Sequence, residues 1–269
     1  MRTKDYEFDP AEQVKLIENF IKTYFAENGS PTTKAVIGIS GGKDSTIAAA
    51  LLVRALGPDR VIGVLMPNGE QADIDDSISV CMELGIKSYT IDIGNTCTEL
   101  FDVFRRQTGY SVTNQIATNT PARLRMATLY MVAAAVGGRV CNTGNASEAF
   151  IGYTTKYGDL AGDFAVLRYL TVREIYAIGD YLELPLLLVH KQPSDGMSGK
   201  TDEDNTGIPY DAIDDFLLDG TIPEMAIWEK MQAAHKRNEH KEVIQLPAPQ
   251  RYGYSLHRMN RHGGVYEVF

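Results

Sequence analysis

The chain has 269 residues, 44% of them hydrophobic and 23% charged, with a formal net charge of −9. That balance belongs to an ordinary folded soluble protein with a sizeable core. An acidic chain without a long Lys/Arg run argues against a nucleic-acid partner, and no stretch reaches the uninterrupted apolar length of a membrane helix.

In chain order, apolar residues at helical spacing predict an amphipathic helix from Pro10 to Asn28. A short buried strand follows over 35–40, then a helix over 45–56 that ends at Gly57. A second buried strand (60–67), a helix closing at Gly85, a third strand (87–93) and a helix ending at Gly109 continue the alternation. These strands are apolar throughout, as in a parallel sheet covered on both faces. Residues 114–138 predict one long helix, or two broken near Pro121, and a fourth strand occupies 139–144. The glycine- and tyrosine-rich stretch from Glu148 to Leu167 reads as a functional loop. A helix capped by Thr171 comes next, then a long polar segment from His190 to Tyr210 with the profile of a lid. Two amphipathic helices and a loop or tail complete the chain. The fold class is therefore α/β, a doubly wound, mostly parallel sheet with helices on both faces.

The three cysteines, Cys81, Cys97 and Cys141, form no C-x-x-C pair and read as reduced thiols. The charged opening "MRTKDYEFDP" is not built like a secretory signal, so a cytoplasmic protein is expected.

The chemistry starts at "GISGGKDS", Gly38 to Ser45. A Walker loop has four residues between its glycines and then Lys followed by Ser or Thr. Here Lys43 is followed by Asp44. The loop lies between a strand and a helix, where backbone amides and the helix N-terminus collect phosphate. Gly41 and Gly42 permit close approach, and Ser40 and Ser45 add hydroxyls. Asp44 would repel a bare phosphate, but it fits a site with a divalent cation between carboxylate and phosphate. A plainer reading makes Asp44 a helix N-cap.

"SGGKDS" resembles the S-G-G-x-D-S loop of the ATP pyrophosphatases, whose fold is that of the adenine nucleotide alpha-hydrolases. In that family the loop cradles the pyrophosphate that leaves when ATP adenylates an oxygen. Further segments resemble ammonia-dependent NAD synthetase. "PARLRM" is similar to that family's K-A-R-x-R-M. "NTGNASEAFIGYTTKYGDLAGD" is similar to its G-T-x-x-x-S/A-E-x-x-x-G-x-x-T-K-x-G-D-x-x-x-D stretch. "KQPSDG" and "EHKEVIQLP" match its K-x-P-T/S and E-H-K-R segments, and "MPNGEQAD" matches its L-P-Y-G-x-Q-x-D with Asn68 for Tyr.

The resemblance implies a single NAD synthetase domain over 1–269, with a core at about 30–190, a lid at about 194–207 and C-terminal helices and tail at about 208–269. It implies that Gly38, Ile39, Ser40, Gly41, Gly42, Lys43, Asp44, Ser45, Thr143 and Ser194 bind ATP. Arg123, Tyr130, Lys156, Asp163, His240 and Lys241 would bind deamido-NAD+. Asp44 and Glu148 would hold Mg2+, and Asp159 would orient ammonia or accept its proton, with Asp44 the second residue of the chemistry. The implied reaction is the last step of NAD biosynthesis. Deamido-NAD+ is adenylated by ATP and amidated by ammonia, releasing AMP and pyrophosphate, so the chain would be a carbon–nitrogen ligase. Free ammonia or a separate partner would supply nitrogen, since the chain is too short for an added glutaminase domain. The family is homodimeric with the dinucleotide at the interface.

One departure is sharper. The family has Lys after the Thr of "YLTVREIY", as an ATP-phosphate contact, and Val172 stands there instead. Either Arg173 or Lys43 supplies the charge, or the triphosphate is handled differently. Singly, each assignment has a plainer rival. Arg123 and Arg125 read equally as surface charges, Glu148 as a helix-start acid, Lys156 as a solvated loop lysine and His240 as an exposed histidine. Their joint occurrence at family spacing overturns those rivals. Two other functions compete at this level, a tRNA thiolase or adenylating sulfur transferase of the same loop family and a non-catalytic ATP sensor. The acidic charge and unpaired cysteines disfavour the first. A sensor would need neither Glu148 nor a lid.

Overall fold

The computed structural model describes residues 8–71, 74–190 and 201–241, and the backbone of two further strands, 256–259 and 265–268. Helix α1 (Pro10–Glu27) starts where the Asp9 carboxylate accepts the amides of Ala11 and Glu12, ahead of a proline already set for the first helical position. Then come β1 (Lys34–Gly38), α2 (Lys43–Leu56), β2 (Val61–Leu65), α3 (Ile74–Glu83), β3 (Lys87–Thr90), α4 (Gly94–Thr108), α5 (Asn114–Val136) and β4 (Gly138–Asn142). After α6 (Ala146–Ile151) and β5 (Phe164–Ala165) follow α7 (Val172–Tyr181), α8 (Leu186–Val189), α9 (Asp202–Thr206), α10 (Tyr210–Asp219) and α11 (Met225–Asn238). The strands β6 (Leu256–Met259) and β7 (Val265–Val268) pair antiparallel.

The five-stranded sheet has the order β3-β2-β1-β4-β5, every pair parallel. Successive residues of a strand point to opposite faces. Accordingly Ala35 and Ile37 of β1 join a core with α1, α2 and α7, while Val36 joins a second core with Met126, Leu129 and Val132 of α5. Both faces are covered, so the expected double winding holds. A third core joins α6, α10 and α11 around Phe150, Phe216 and Trp228. The chain order reverses between β1 and β4, and in open α/β sheets ligands bind beyond the strand ends at such a switch point. The glycine loop follows β1 there, and Thr143 to Asn145 follow β4.

Residues 114–136 form one long helix, the first of the two expectations, with Pro121 inside it. Elsewhere the structure corrects the sequence reading. The stretch from Glu148 to Leu167 is not loop throughout, because α6 and the two-residue β5 lie within it. The tail carries a β-hairpin. No helix among the described residues is long and apolar enough to cross a membrane.

Candidate active site

The glycine loop is fixed by its own serines. The Ser40 and Ser45 hydroxyls lie 3.1 Å apart, the Gly42 amide donates to Ser40 Oγ at 3.2 Å, and Ser45 Oγ donates to the Gly42 carbonyl at 3.1 Å. Gly42 is the N-cap of α2 and offers no side chain to its first-turn amides. An anion from outside can take that role. Asp44 therefore lies inside the first turn and is not the cap, which removes the plainer reading of that residue.

Asp44 looks across the switch point. Its Oδ2 accepts from Lys43 Nζ at 2.8 Å, and its Oδ1 from Asn145 Nδ2 at 3.3 Å. Asn145 also caps α6 in a capping box with Glu148: the Asn145 side chain accepts the Glu148 amide, and the Glu148 carboxylate accepts the Asn145 amide. The loop after β1 and the helix after β4 are thus joined through one asparagine, and Asp44 and Glu148 face a common space. Glu148 keeps some solvent contact but is crowded by protein, as a side chain on a cleft wall is. Burial, and then the nearby Asp44, push its carboxyl up to about 8, with Lys43 opposing. A carboxyl whose ionisation is opposed by burial and by a neighbouring carboxylate suits a divalent cation between the two. Among the described residues no group of three or more His, Cys, Asp or Glu could hold a metal. An all-protein cage is therefore missing from these residues, whereas two carboxylates completed by phosphate oxygens fit Mg2+.

Four of the six dinucleotide candidates gather on the loop after α6. Arg123 Nε donates to the Lys156 carbonyl at 3.2 Å, and Lys156 Nζ to the His240 carbonyl at 2.8 Å. Lys241 Nζ donates to the carbonyls of Gly152 and Thr154 at 2.8 and 2.6 Å. Gly152 takes φ +65°, and a Cβ there would fall 2.1 Å from Asn238 Cβ, so glycine lets α11 close onto this loop. Asp159 lies in the same group, accepting the Thr155 amide at 2.8 Å. Its carboxyl is raised by the surrounding protein against the pull of that amide and of Lys241. Tyr130 and Asp163 form a separate pair: Tyr130 Oη donates to Asp163 Oδ1 at 3.2 Å while the Val140 amide donates to Oδ2 at 2.7 Å. Thr143 follows β4 beside Asn142. Ser194 lies outside the described residues, as does the first half of the expected lid (194–200); the second half is described and holds α9.

Sequence reasoning missed several residues. Asn142 holds the loop by donating to the carbonyls of Asp159 and Ala161 at 2.6 and 2.9 Å. Arg125, readable as a surface charge, donates to the Met66 carbonyl at 3.0 Å and is partly buried. Buried Asp214 accepts from Ser147 Oγ at 2.6 Å and from the Arg173 amide at 2.8 Å. The pattern Asn145-x-x-Glu148 was a legible capping signal for α6. Nothing local marked Asp214.

The NAD synthase family model matches residues 13–252. The NH(3)-dependent NAD(+) synthetase of Alkaliphilus metalliredigens is 36% identical over 243 residues, covering 87% of this chain and 96% of that relative. That of Thermococcus kodakarensis is 35% identical over 248 residues, covering 91% and 94%. Among solved structures, an NMN synthetase from Francisella tularensis superposes with a TM-score of 0.81 at 34% identity, covering 89% of this chain and 98% of that one. The NH3-dependent NAD synthetase of Campylobacter jejuni, in complex with nitrate, gives 0.69 at 28%, covering 89% and 98%. With a switch-point site of this construction and a family match over most of its length, the chain belongs to the NAD synthase family.

Proposed function

We propose that the protein is an ammonia-dependent NAD synthetase that adenylates the nicotinate carboxylate of deamido-NAD+ with ATP and replaces AMP by ammonia. The observation that carries this reading is that Asn145 links Asp44 and Glu148 across the switch point, beside a phosphate loop with open helix amides. The α2 amides with Ser40 and Ser45 bind the β,γ-phosphates and hold the departing pyrophosphate. Asp44 and Glu148 would hold Mg2+, which supplies neutralisation of the charge growing on the phosphates. The cationic group of Arg123, Lys156 and Lys241, with His240 beside it, orients the second substrate, so that its carboxylate oxygen meets the α-phosphorus. Asp159 is within this group and its raised carboxyl suits it to take a proton from the attacking ammonia. The lid, with Ser194 on ATP, excludes water from the adenylate. We also assign a cytoplasmic location, a homodimer and a single domain over 1–269.

The test is pyrophosphate release. Release should require deamido-NAD+, and Asp44→Ala or Glu148→Ala should lower it by about 100-fold or more. Full NAD+ synthesis by either variant would sink the metal assignment. Glutamine alone serving as well as ammonia would sink the nitrogen assignment.

One observation favours a second reading, a mononucleotide substrate. Tyr130 and Asp163 form a pair separate from the cationic group, so a ligand short enough to lie on that group alone would not need them. The structural similarity to an NMN synthetase points the same way. Nicotinate mononucleotide, assayed beside deamido-NAD+, separates the two.

A further inference from the structure

The charge missing at residue 172 has a source inside the phosphate loop. Val172 is 5% exposed and packs with Phe216 and Met231, so it offers nothing to an anion. Arg173 is no substitute. Its half-exposed guanidinium is turned to α10, where it pairs with Asp215 at 2.8 Å and Asp211 at 3.4 Å. Lys43 is different. It is 3% exposed, an unusual burial for a lysine, and its ammonium lies 2.8 Å from Asp44 Oδ2. The rings of Tyr176 and Tyr210 flank it, with centroids 5.8 and 5.9 Å from Nζ. A buried ammonium is tolerated only where such partners compensate its lost water.

The position of this ammonium matters for what else Asp44 can bind. One Asp44 oxygen faces an ammonium and the other only the neutral Asn145 amide. A divalent cation held by Asp44 would share that carboxylate with the ammonium already 2.8 Å from its Oδ2, and like charges on one carboxylate repel. On the reading that Asp44 and Glu148 are the metal pair, we infer that Lys43 is their resident counter-cation: a divalent ion competes with its ammonium, and the displaced ammonium meets the leaving pyrophosphate in place of a lysine at 172. The SGGKDS lysine thereby does two things in sequence. It keeps the two carboxylates together before ATP arrives, and it supplies positive charge where the pyrophosphate separates.

Two affinities of opposite sign test this. Nucleotide-free wild type, Lys43→Gln and Glu148→Gln are titrated with Mn2+ by electron paramagnetic resonance, and pyrophosphate binding in excess Mg2+ is measured by calorimetry. Lys43→Gln should bind Mn2+ roughly tenfold more tightly and pyrophosphate roughly tenfold more weakly. A merely structural lysine would lower both affinities together, and that result overturns the inference, as does an unchanged value of either. Lys43→Met, which fills the tyrosine-lined seat without charge, replaces Lys43→Gln if that variant does not fold. If Glu148→Gln leaves Mn2+ affinity unchanged, the metal-pair reading itself fails. If Glu148→Gln weakens Mn2+ binding while neither neutral Lys43 variant strengthens it, only the role of Lys43 fails.

Discussion

At the scale of single residues, the two loop glycines differ in what they need. Gly41 takes φ +78°, and a Cβ there would meet Asp76 Cβ at 3.0 Å and the Ser77 amide nitrogen at 3.2 Å. Gly42 has φ −86°, and its Cβ would meet only Ser40 Oγ, at 3.3 Å. Left-handed backbone costs an L-residue about 1–2 kcal/mol, and the start of α3 leaves no room to relax. Gly41→Ala should therefore lower the melting temperature by several degrees, at about 2–4 °C per kcal/mol for a chain of this size, and Gly42→Ala by less. Thermal unfolding of the two variants side by side checks this, and equal shifts would refute it. The glycine pair was legible in the sequence, but which member needs φ > 0 was not, because the answer depends on a helix over thirty residues downstream. The loop's lysine was likewise visible and ambiguous. Only its burial against Tyr176 and Tyr210, from α7 and α10, gives it a place.

At the scale of elements, one buried carboxylate ties three helices together behind Glu148. Asp214 of α10 accepts from Ser147 of α6 and from the first turn of α7, and the Val172 amide donates to Ser147 Oγ at 3.1 Å. Burial raises the Asp214 carboxyl to about 6, against the pull of its hydrogen bonds. The unfolded chain releases that proton near pH 4. Between about pH 4 and 6 the folded state holds a proton that the unfolded state lacks, so this group's contribution to stability falls as pH rises through the window and is level above it. Asp214→Asn cannot titrate, and its unfolding free energy should fall less between pH 4.5 and 6.5 than that of the wild type. At pH 4.5 the folded carboxyl is itself protonated and neutral, so the variant should match the wild type there to within about 1 kcal/mol. Urea unfolding at the two pH values measures both effects, and a parallel fall in the two proteins would rule out Asp214 as the source. None of this was readable in "YDAIDDFLLDG", where Asp211, Asp214 and Asp215 look alike and the partners are 41 and 67 residues away. The sheet was far more legible. Its central strands β1 and β2 are apolar on both faces, and glycines end several of its helices, but β3 (KSYT), expected to be apolar throughout, is a polar and mostly exposed edge. The two-residue β5 is too short to carry a period, and α6 showed only its cap.

At the scale of the whole molecule, the substrate question and the assembly question are one. Arg123 and Tyr130 are seven residues apart on α5, hence on one face and about 10 Å apart along it. Arg123 touches the cationic loop, while Tyr130 pairs with Asp163 and keeps 38% of its surface exposed. The next residue, Met131, is 61% exposed, and α4 adds exposed Leu100 and Val103. Apolar side chains facing water on two neighbouring helices suit a protein partner, and a second copy would bring its surface against the Tyr130 end of the ligand track. A dinucleotide reaching from the loop toward Tyr130 would then need that second copy, whereas a mononucleotide held at the loop would not. Leu100→Glu with Met131→Glu should give a monomer in sedimentation. That monomer should keep its KM for ATP within about threefold and lose about tenfold or more in kcat/KM for deamido-NAD+. If the monomer uses deamido-NAD+ as well as the wild type does, the partner contributes nothing to the site. If it prefers nicotinate mononucleotide while the dimer does not, the cationic loop alone suffices for one nucleotide and the dimer sets the choice of two.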